Sequence, residues 1–181
     1  LDKSSFVLQN MPSDNPGTFY GADPLNYLFD NNTLYSGDTY GYHSGENAVP
    51  GHFTIDLGTS TYLSDVKLDF RPTWSFSGNT PNQLEIWGRL DITDAETLPE
   101  FESSGNNVIS DPVSTESFEN AGWILLQSQT LDGQNTNNIE FEIENLVRSR
   151  FIRIRYVNTV QNSACQFIEI GFSGFGSFPI D

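Results

Sequence analysis

The stretch Arg150-Phe151-Ile152-Arg153-Ile154-Arg155-Tyr156, followed after a polar loop by Phe167-Ile168-Glu169-Ile170-Gly171, decides the fold class. Polar and apolar residues alternate in both segments, which is typical of half-buried β-strands. Glu169 stands between two isoleucines, where a sheet usually places an apolar or a solvated polar side chain. Because a buried carboxylate is costly without a partner, Glu169 must face a group that the rest of the fold supplies.

Further alternating segments predict an all-β protein. The chain of 181 residues fits one domain, and its 13% aromatic residues, 15 glycines and 9 prolines suit short strands joined by turns. Residues 1–24 are predicted to be an irregular segment of the same domain as the β-sandwich of residues 25–181, with residues 58–60 as a turn between two strands. The predicted strands outside the opening stretch are residues 6–8, 52–57, 63–71, 83–90, 123–128 and 139–143.

Residues 91–120 interrupt the strand pattern with many acidic, serine and asparagine residues and few apolar ones. Such a composition predicts a long solvated insertion between central strands, with one short helical turn around Ala95 to Leu98. The sequence assigns this insertion no function.

The chain is strongly acidic, with a formal net charge of −16 from 8 basic and 24 acidic residues. Nucleic acids and anionic membranes bind through basic patches, so neither is an expected partner. Cys165 is the only cysteine, which excludes a disulfide within this sequence. No signal sequence is recognisable in the chain, and we expect it to be a mature or trimmed fragment.

The stretch Asp30-Asn31-Asn32-Thr33 places several oxygen ligands within one bend after the apolar pair Leu28 and Phe29. Hard cations such as Ca²⁺ prefer clusters of this kind. The same residues are equally suited to an Asx-turn that only satisfies its own backbone. The pattern therefore leaves both a cation site and a plain turn open.

Two loops combine aromatic rings with polar residues. One contains Tyr40, Tyr42 and His43 among glycines, and the other contains Trp74 and Phe76 between Pro72 and Pro81. Rings flanked by glycine or polar residues are less often part of a core, so these loops predict exposed aromatic platforms. The alternative for the second loop is that Trp74 or Phe76 packs over the edge of the core.

The order of these segments resembles the discoidin, or coagulation factor V/VIII type C, domain. It is most similar to family 32 carbohydrate-binding modules and to the discoidin-like C-terminal domains of Bacteroidetes surface lipoproteins. The resemblance spans residues 25–174 and rests on seven short pieces that occur in the family's order. These pieces are residues 28–33, 53–58, 66–68, 84–87, 122–123, 149–154 and 167–170, with Gly174 after the last.

The resemblance implies a jelly-roll β-sandwich with a structural Ca²⁺ near one end. The family's ligands match Asp30 and Thr33 in the first loop and Glu169 in the last strand. A calcium ion would supply the charge that Glu169 requires. The family usually has glycine after the aspartate, whereas this chain has Asn31.

The resemblance also implies that a glycan or polysaccharide binds through loops beside the metal. Trp74 is the best candidate for a ring that stacks on a sugar, because planar rings bury the apolar face of a pyranose. Trp87 and Trp123 lie in strand patterns and are expected to be packing residues, and Arg150, Arg153 and Arg155 are expected to pair with acids such as Glu140 and Glu142. The remaining candidates for the ligand site are Tyr40, Tyr42, His43, Arg71, Phe76, Gln161 and Asn162.

These observations predict a non-catalytic carbohydrate-binding module of a secreted or cell-surface protein, such as a lipoprotein fragment, joined to further domains. The alternative is a protein-interaction or scaffolding domain of the same fold. The sequence has no GxSxG elbow, phosphate loop or HExxH motif, and nothing in it pairs a serine with His43 or His52. Catalysis is therefore not expected.

Overall fold

A computed structural model describes residues 1–34, 41–71, 78–92, 98–110, 113–131 and 138–178. The strands are β1 (Val7–Leu8), β2 (Tyr42–His43), β3 (Gly51–Asp69), β4 (Pro81–Arg89), β5 (Ser103–Ser104), β6 (Asn107–Val108), β7 (Ile124–Thr130), β8 (Asn138–Glu142), β9 (Arg148–Thr159), β10 (Gln166–Phe167) and β11 (Glu169–Phe178). The helices are α1 (Pro24–Tyr27) and α2 (Thr115–Asn120), and two 3-10 turns cover Lys3–Ser5 and Phe19–Gly21. Within these ranges, neither α-helix approaches the length and hydropathy of a membrane span.

The strands form the antiparallel jelly-roll sandwich that the sequence predicts. The first layer runs in the order β1, β3, β9, β4, β7, and the second places β11 and β8 on either side of β3. The apolar residues between the layers include Ile55, Leu68, Ile86, Ile154 and Ile170, none of which is exposed. Burial of these side chains is the main force that holds the two layers together.

Strand β3 belongs to both layers. Its first half pairs with β1 and β9, its second half pairs with β11 and β8, and the register with β9 shifts between Asp56 and Thr61. The predicted turn at residues 58–60 is therefore wrong. Gly58 has a φ of 71°, a conformation that glycine adopts without steric cost, and the chain bends there without reversing.

The outer face of the first layer is covered, which corrects the prediction of a solvated insertion. Helix α2 places Phe118 against Trp87, with ring centroids 5.3 Å apart, and Trp123 and Phe151 complete a second apolar cluster. The predicted helical turn around residues 95–98 lies mostly outside the described residues. The burial of Trp87 and Trp123 confirms that both are packing residues.

The arginines of β9 alternate with its core residues and pair with acids other than the predicted Glu140 and Glu142. Those two glutamates lie on β8 in the other layer. Arg150 binds Asp56 at 2.7 Å near the surface, whereas Arg153 reaches the buried Asp14 at 3.3 Å and Arg155 binds Glu85 at 2.8 Å. Period-two alternation places Arg153 and Arg155, together with Phe151, on the face of β9 that the insertion and the N-terminal segment cover.

Candidate functional site

Polar loops meet at the end of the sandwich where β2 pairs with β10. The pairing aligns His43 with Gln166. The turn after β2 is tied to the loop after β9, because the Ser44 N–H donates to the Cys165 carbonyl at 3.0 Å and the Ala48 N–H donates to the Ser163 carbonyl at 2.9 Å. These backbone bonds bring the segment with Tyr42 and His43 next to the loop that contains Asn162.

Tyr20 is the exposed aromatic ring of this end among the described residues. Its side chain is 47% exposed, and its ring lies 4.7 Å from the His43 ring. The Tyr20 hydroxyl donates to Glu46 Oε1 at 3.3 Å, and Ser163 Oγ donates to Glu46 Oε2 at 2.5 Å. Tyr20, His43, Glu46 and Ser163 thus form one connected group, which we call the Tyr20 cluster.

Tyr20 has a backbone conformation that few tyrosines adopt. Its φ is 55° and its ψ is 29°, within the left-handed region that is unfavourable for residues with a Cβ. Such strain costs about 1–3 kcal/mol and is concentrated at functional sites in proteins. The strained residue is the one that presents its ring to solvent.

Tyr20 is absent from the predicted site because residues 1–24 are predicted to be an irregular segment. The signal was present, since Tyr20 lies between Gly17 and Gly21 with little aliphatic sequence around it. That is the same criterion that selected Tyr40 and Tyr42. Its partner Glu46 also lies in the predicted aromatic loop, but no sequence pattern distinguishes it from the other polar residues of that loop.

Tyr42, a predicted ligand residue, is instead part of the core. Its side chain is fully buried, its hydroxyl lies 3.1 Å from the Tyr156 hydroxyl, and its ring lies 4.3 Å from the Phe53 ring. Strand β2 turns Tyr42 inward and, by alternation, directs the next side chain the other way. Tyr42 is therefore unable to contact a ligand in this structure.

His43 is largely buried below Tyr20. Its Nδ1 accepts a hydrogen bond from the Gly45 N–H at 3.0 Å, which leaves the ring proton on Nε2 in the neutral form. Burial lowers the pKa of His43 to about 4; Glu46 opposes this shift and Arg71 reinforces it. His43 is therefore a neutral hydrogen-bonding group at physiological pH.

The shifted pKa of His43 predicts a pH-dependent stability. An unfolded histidine titrates near 6.5, so stability is lost as the pH falls from 6.5 to about 4, because only the unfolded state gains a proton. After allowance for solvent screening, we expect a loss of about 2 kcal/mol. The measurement is urea unfolding between pH 4 and 7.5 for the wild type and for His43→Asn, which keeps an acceptor near the position of Nδ1.

The variant isolates His43 from the other titrating groups. His52 is also buried, with a pKa well below its usual value, and Glu169 has a raised pKa, but both are present in the wild type and in His43→Asn. Their contributions cancel in the difference between the two profiles. Parallel profiles would show that His43 does not titrate as its burial requires.

Arg71 and Asn162 lie at the same end as the Tyr20 cluster. Arg71 is half-buried and close enough to His43 to lower its pKa. Asn162 is exposed, with a φ of 56°, in the loop that also holds Ser163. The structure therefore brings His43, Arg71 and Asn162 together, whereas Tyr40, Trp74 and Phe76 lie outside the described residues.

The predicted metal ligands are only partly brought together. Glu169 is 2% exposed, and the Asp30 side chain is close enough to raise its pKa. Thr33 is exposed, and among the described residues no group of three or more His, Cys, Asp or Glu side chains is arranged to hold a metal. Lys3 Nζ donates a hydrogen bond to Glu169 Oε1, so an ammonium group already faces this carboxylate. The donor set therefore fits Ca²⁺ poorly, and the calcium site stays a prediction.

Among the described residues, two further concave regions do not include the Tyr20 ring. A cavity of about 320 Å³ beneath the N-terminal segment is lined largely by apolar residues such as Leu8, Met11 and Phe101. A smaller one of about 40 Å³ adjoins His52 and Ser13. Neither combines an exposed ring with several polar side chains, the arrangement typical of sugar sites.

No protein-family model matches the chain, and no curated protein matches it. Solved structures, in contrast, match most of the chain. A SusE-like protein aligns with a TM-score of 0.67 at 19% identity over 96% of this chain and 99% of that chain. The family 32 carbohydrate-binding module of NanJ from C. perfringens, solved with galactose, gives 0.58 at 14% identity over 94% and 95%. The C-terminal domain of a chitobiase from Bacteroides fragilis gives 0.59 at 14% identity over 97% of both chains.

These likenesses establish the fold. The chain has the jelly-roll β-sandwich fold of these structures, which is the fold that the resemblance to discoidin domains and family 32 modules predicts. Identities below 20% do not carry over a ligand or a binding residue.

Proposed function

We propose that this domain is a non-catalytic carbohydrate-binding module that holds a glycan against the Tyr20 cluster. The observation that carries the proposal is the half-exposed Tyr20 ring, kept in a left-handed conformation above His43. Its support is the fold shared with family 32 modules, whose solved complexes contain galactose, GalNAc-β-1,3-galactose and unsaturated mannuronic acid.

The chemistry of the Tyr20 cluster suits a sugar. The exposed face of an aromatic ring can cover the C–H face of a pyranose and remove apolar area from water. Glu46 beside the ring accepts hydrogen bonds, and at the same end of the sandwich Arg71 can donate them and Asn162 can do both. A few polar groups that converge on one ring are typical of sites that recognise hydroxyl-rich ligands.

The alternative, a protein-interaction domain, has one observation in its favour. Phe175 and Phe178 are 53% and 40% exposed and pack around Tyr62 at the C-terminal end of β11. Strand β11 begins at Glu169, near the end of the sandwich that carries the Tyr20 cluster, so these rings lie toward the opposite end. An exposed apolar patch of this kind suits a protein partner better than a sugar.

The structure offers no catalytic arrangement at His52. Its Nε2 lies 3.2 Å from Ser13 Oγ and 3.6 Å from Asp14 Oδ1, so both groups face the same ring nitrogen. In a Ser-His-Asp triad the serine and the carboxylate face different nitrogens. Ser13, Asp14 and His52 are also buried, which identifies them as structural.

We further propose that the domain belongs to a larger secreted or surface-exposed protein. The support is the fold shared with a SusE-like protein and with the C-terminal domain of a chitobiase, which is one part of a longer enzyme. The net charge of −16 argues against nucleic acid and anionic lipid as partners.

The proposal predicts that Tyr20→Ala weakens glycan binding about tenfold, or about 1.4 kcal/mol, because the variant loses the stacking face. The experiment is a glycan array that includes galactose and GalNAc-terminated glycans, followed by isothermal titration calorimetry with the best binder. Phe175→Ala is the matched control, since Phe175 is similarly exposed but distant. It should bind like the wild type.

Each result has a clear meaning. Loss of binding in Tyr20→Ala alone supports the Tyr20 cluster as the glycan site. Equal affinity of Tyr20→Ala and wild type would exclude Tyr20 as the platform. A domain that binds no glycan on the array would contradict the proposed function and favour the protein-interaction alternative.

A further inference from the structure

Glu169 is a buried carboxylate in a strongly acidic neighbourhood. It is 2% exposed and lies directly opposite Asp69 in the pairing of β11 with β3. The Asp30 side chain is also close enough to act on its pKa. A negative charge in such a place requires a compensating cation, because burial without one costs several kcal/mol.

Lys3 provides this positive charge from a distant part of the sequence. Its Nζ donates to Glu169 Oε1 across 166 residues, and its side chain is only 18% exposed. The same ammonium acts on Asp69, where it opposes the rise in pKa that burial causes. One lysine thus faces two carboxylates on neighbouring strands.

The fold positions Lys3 independently of this ion pair. The 3-10 turn that contains Lys3 is anchored by Ser5, whose Oγ donates to the Leu57 carbonyl at 2.8 Å. Phe6 follows and packs edge-on against Phe29 and Phe172 at 5.6 and 5.7 Å. The turn is therefore held against the sandwich by contacts that do not involve Glu169.

Gly171 leaves the room that the lysine side chain requires. Residues 169 and 171 share one face of β11, because side chains alternate along a strand. A Cβ on Gly171 would lie 3.3 Å from Lys3 Cε and 3.5 Å from Lys3 Nζ, and would press on the lysine. Glycine at position 171 therefore leaves free the space that the Lys3 side chain occupies.

We propose that the Lys3 ammonium takes the role that the resemblance assigns to a calcium ion, so that this domain is stable without metal. A Ca²⁺ ion takes six to eight oxygen ligands and would be repelled by an ammonium bound to the same carboxylate. The N-terminal segment thereby becomes the internal counter-ion of Glu169. The contact between Lys3 and Glu169 also ties the start of β11 to the N-terminal segment.

The test begins with the unmodified domain. Its thermal midpoint in 5 mM CaCl₂ should equal that in 5 mM EDTA within about 1 °C, since a ligand that does not bind the folded state does not stabilise it. Lys3→Met keeps most of the apolar stem but removes the ammonium. We expect its midpoint in EDTA to fall by about 5–10 °C, because breaking a buried pair leaves an uncompensated carboxylate.

Two further variants separate the ion pair from general damage. Lys67→Met removes a 52% exposed lysine whose Nζ lies 4.0 Å from Asp69, and it should shift the midpoint by less than about 2 °C. Lys3→Met/Glu169→Gln removes both charges and should unfold at a higher temperature than Lys3→Met alone. The proposal is overturned if Ca²⁺ raises the wild-type midpoint by several degrees, or if the double variant is no more stable than Lys3→Met.

Discussion

Replacement of Arg153 by methionine is expected to lower the free energy of unfolding by about 3–5 kcal/mol, because it leaves the buried Asp14 without its cation. The Arg153 side chain is not exposed at all, and its Nη2 lies 3.3 Å from Asp14 Oδ1. Its Nε donates to Thr54 Oγ1 at 2.9 Å, and its guanidinium lies 4.2 Å from the centre of the Trp123 ring. Methionine fills much of the space but restores none of these polar contacts.

Arg150→Met is the matched control for Arg153→Met. Arg150 lies on the same strand and makes a bidentate ion pair with Asp56, with donor–acceptor distances of 2.8 and 2.7 Å. The Arg150 side chain is 28% exposed, so solvent screens much of the attraction between the two charges. We therefore expect Arg150→Met to lower the free energy of unfolding by about 0–1 kcal/mol. Guanidinium chloride unfolding of both variants measures the contrast. Equal decreases in the free energy of unfolding would show that burial does not determine how much these ion pairs stabilise the protein.

Replacement of Phe118 by alanine is expected to cost about 3–5 kcal/mol in the same measurement. Phe118 is completely buried although it lies in the acidic insertion. Its ring centroid lies 4.9 Å from that of His52 and 5.3 Å from that of Trp87, and two arginines of β9 lie against its faces or edges. The variant therefore opens a cavity beside charged groups.

Glu119→Ala provides the comparison for Phe118→Ala. Glu119 is the next residue of α2 and is exposed, so its removal should change the stability by no more than about 0.5 kcal/mol. If the insertion were a solvated loop, the two variants would behave alike. A small effect of Phe118→Ala would thus contradict the packed outer layer.

Most of the fold could be predicted because the information is local. Alternation predicts the strands that contain Ile86, Ile154 and Ile170, and their turns are marked by glycine, proline and asparagine. The covering of the outer face could not be predicted in this way. Phe118 is the only large apolar residue of a six-residue helix, so no sequence periodicity predicts that it packs against Trp87 in the cluster that also contains Trp123.

The site could be predicted only in part, for a related reason. The family resemblance indicates His43, Arg71 and Asn162, and the described structure places them at one end, with His43 in the short strand β2. Tyr20 comes from a segment without periodicity, and its importance depends on a backbone angle that the sequence does not state. Lys3 and Glu169 are 166 residues apart, and no local pattern connects a lysine to so distant a carboxylate.

Strand β3 has a consequence for how the domain unfolds. Because one continuous strand is an inner strand of both layers, neither layer can separate without straining the other's hydrogen bonds. Partial opening is therefore restricted to the loops and the edges, and loss of the sandwich must be cooperative. Under force or heat, the end of the sandwich that carries the Tyr20 cluster should therefore stay folded until the whole sandwich unfolds.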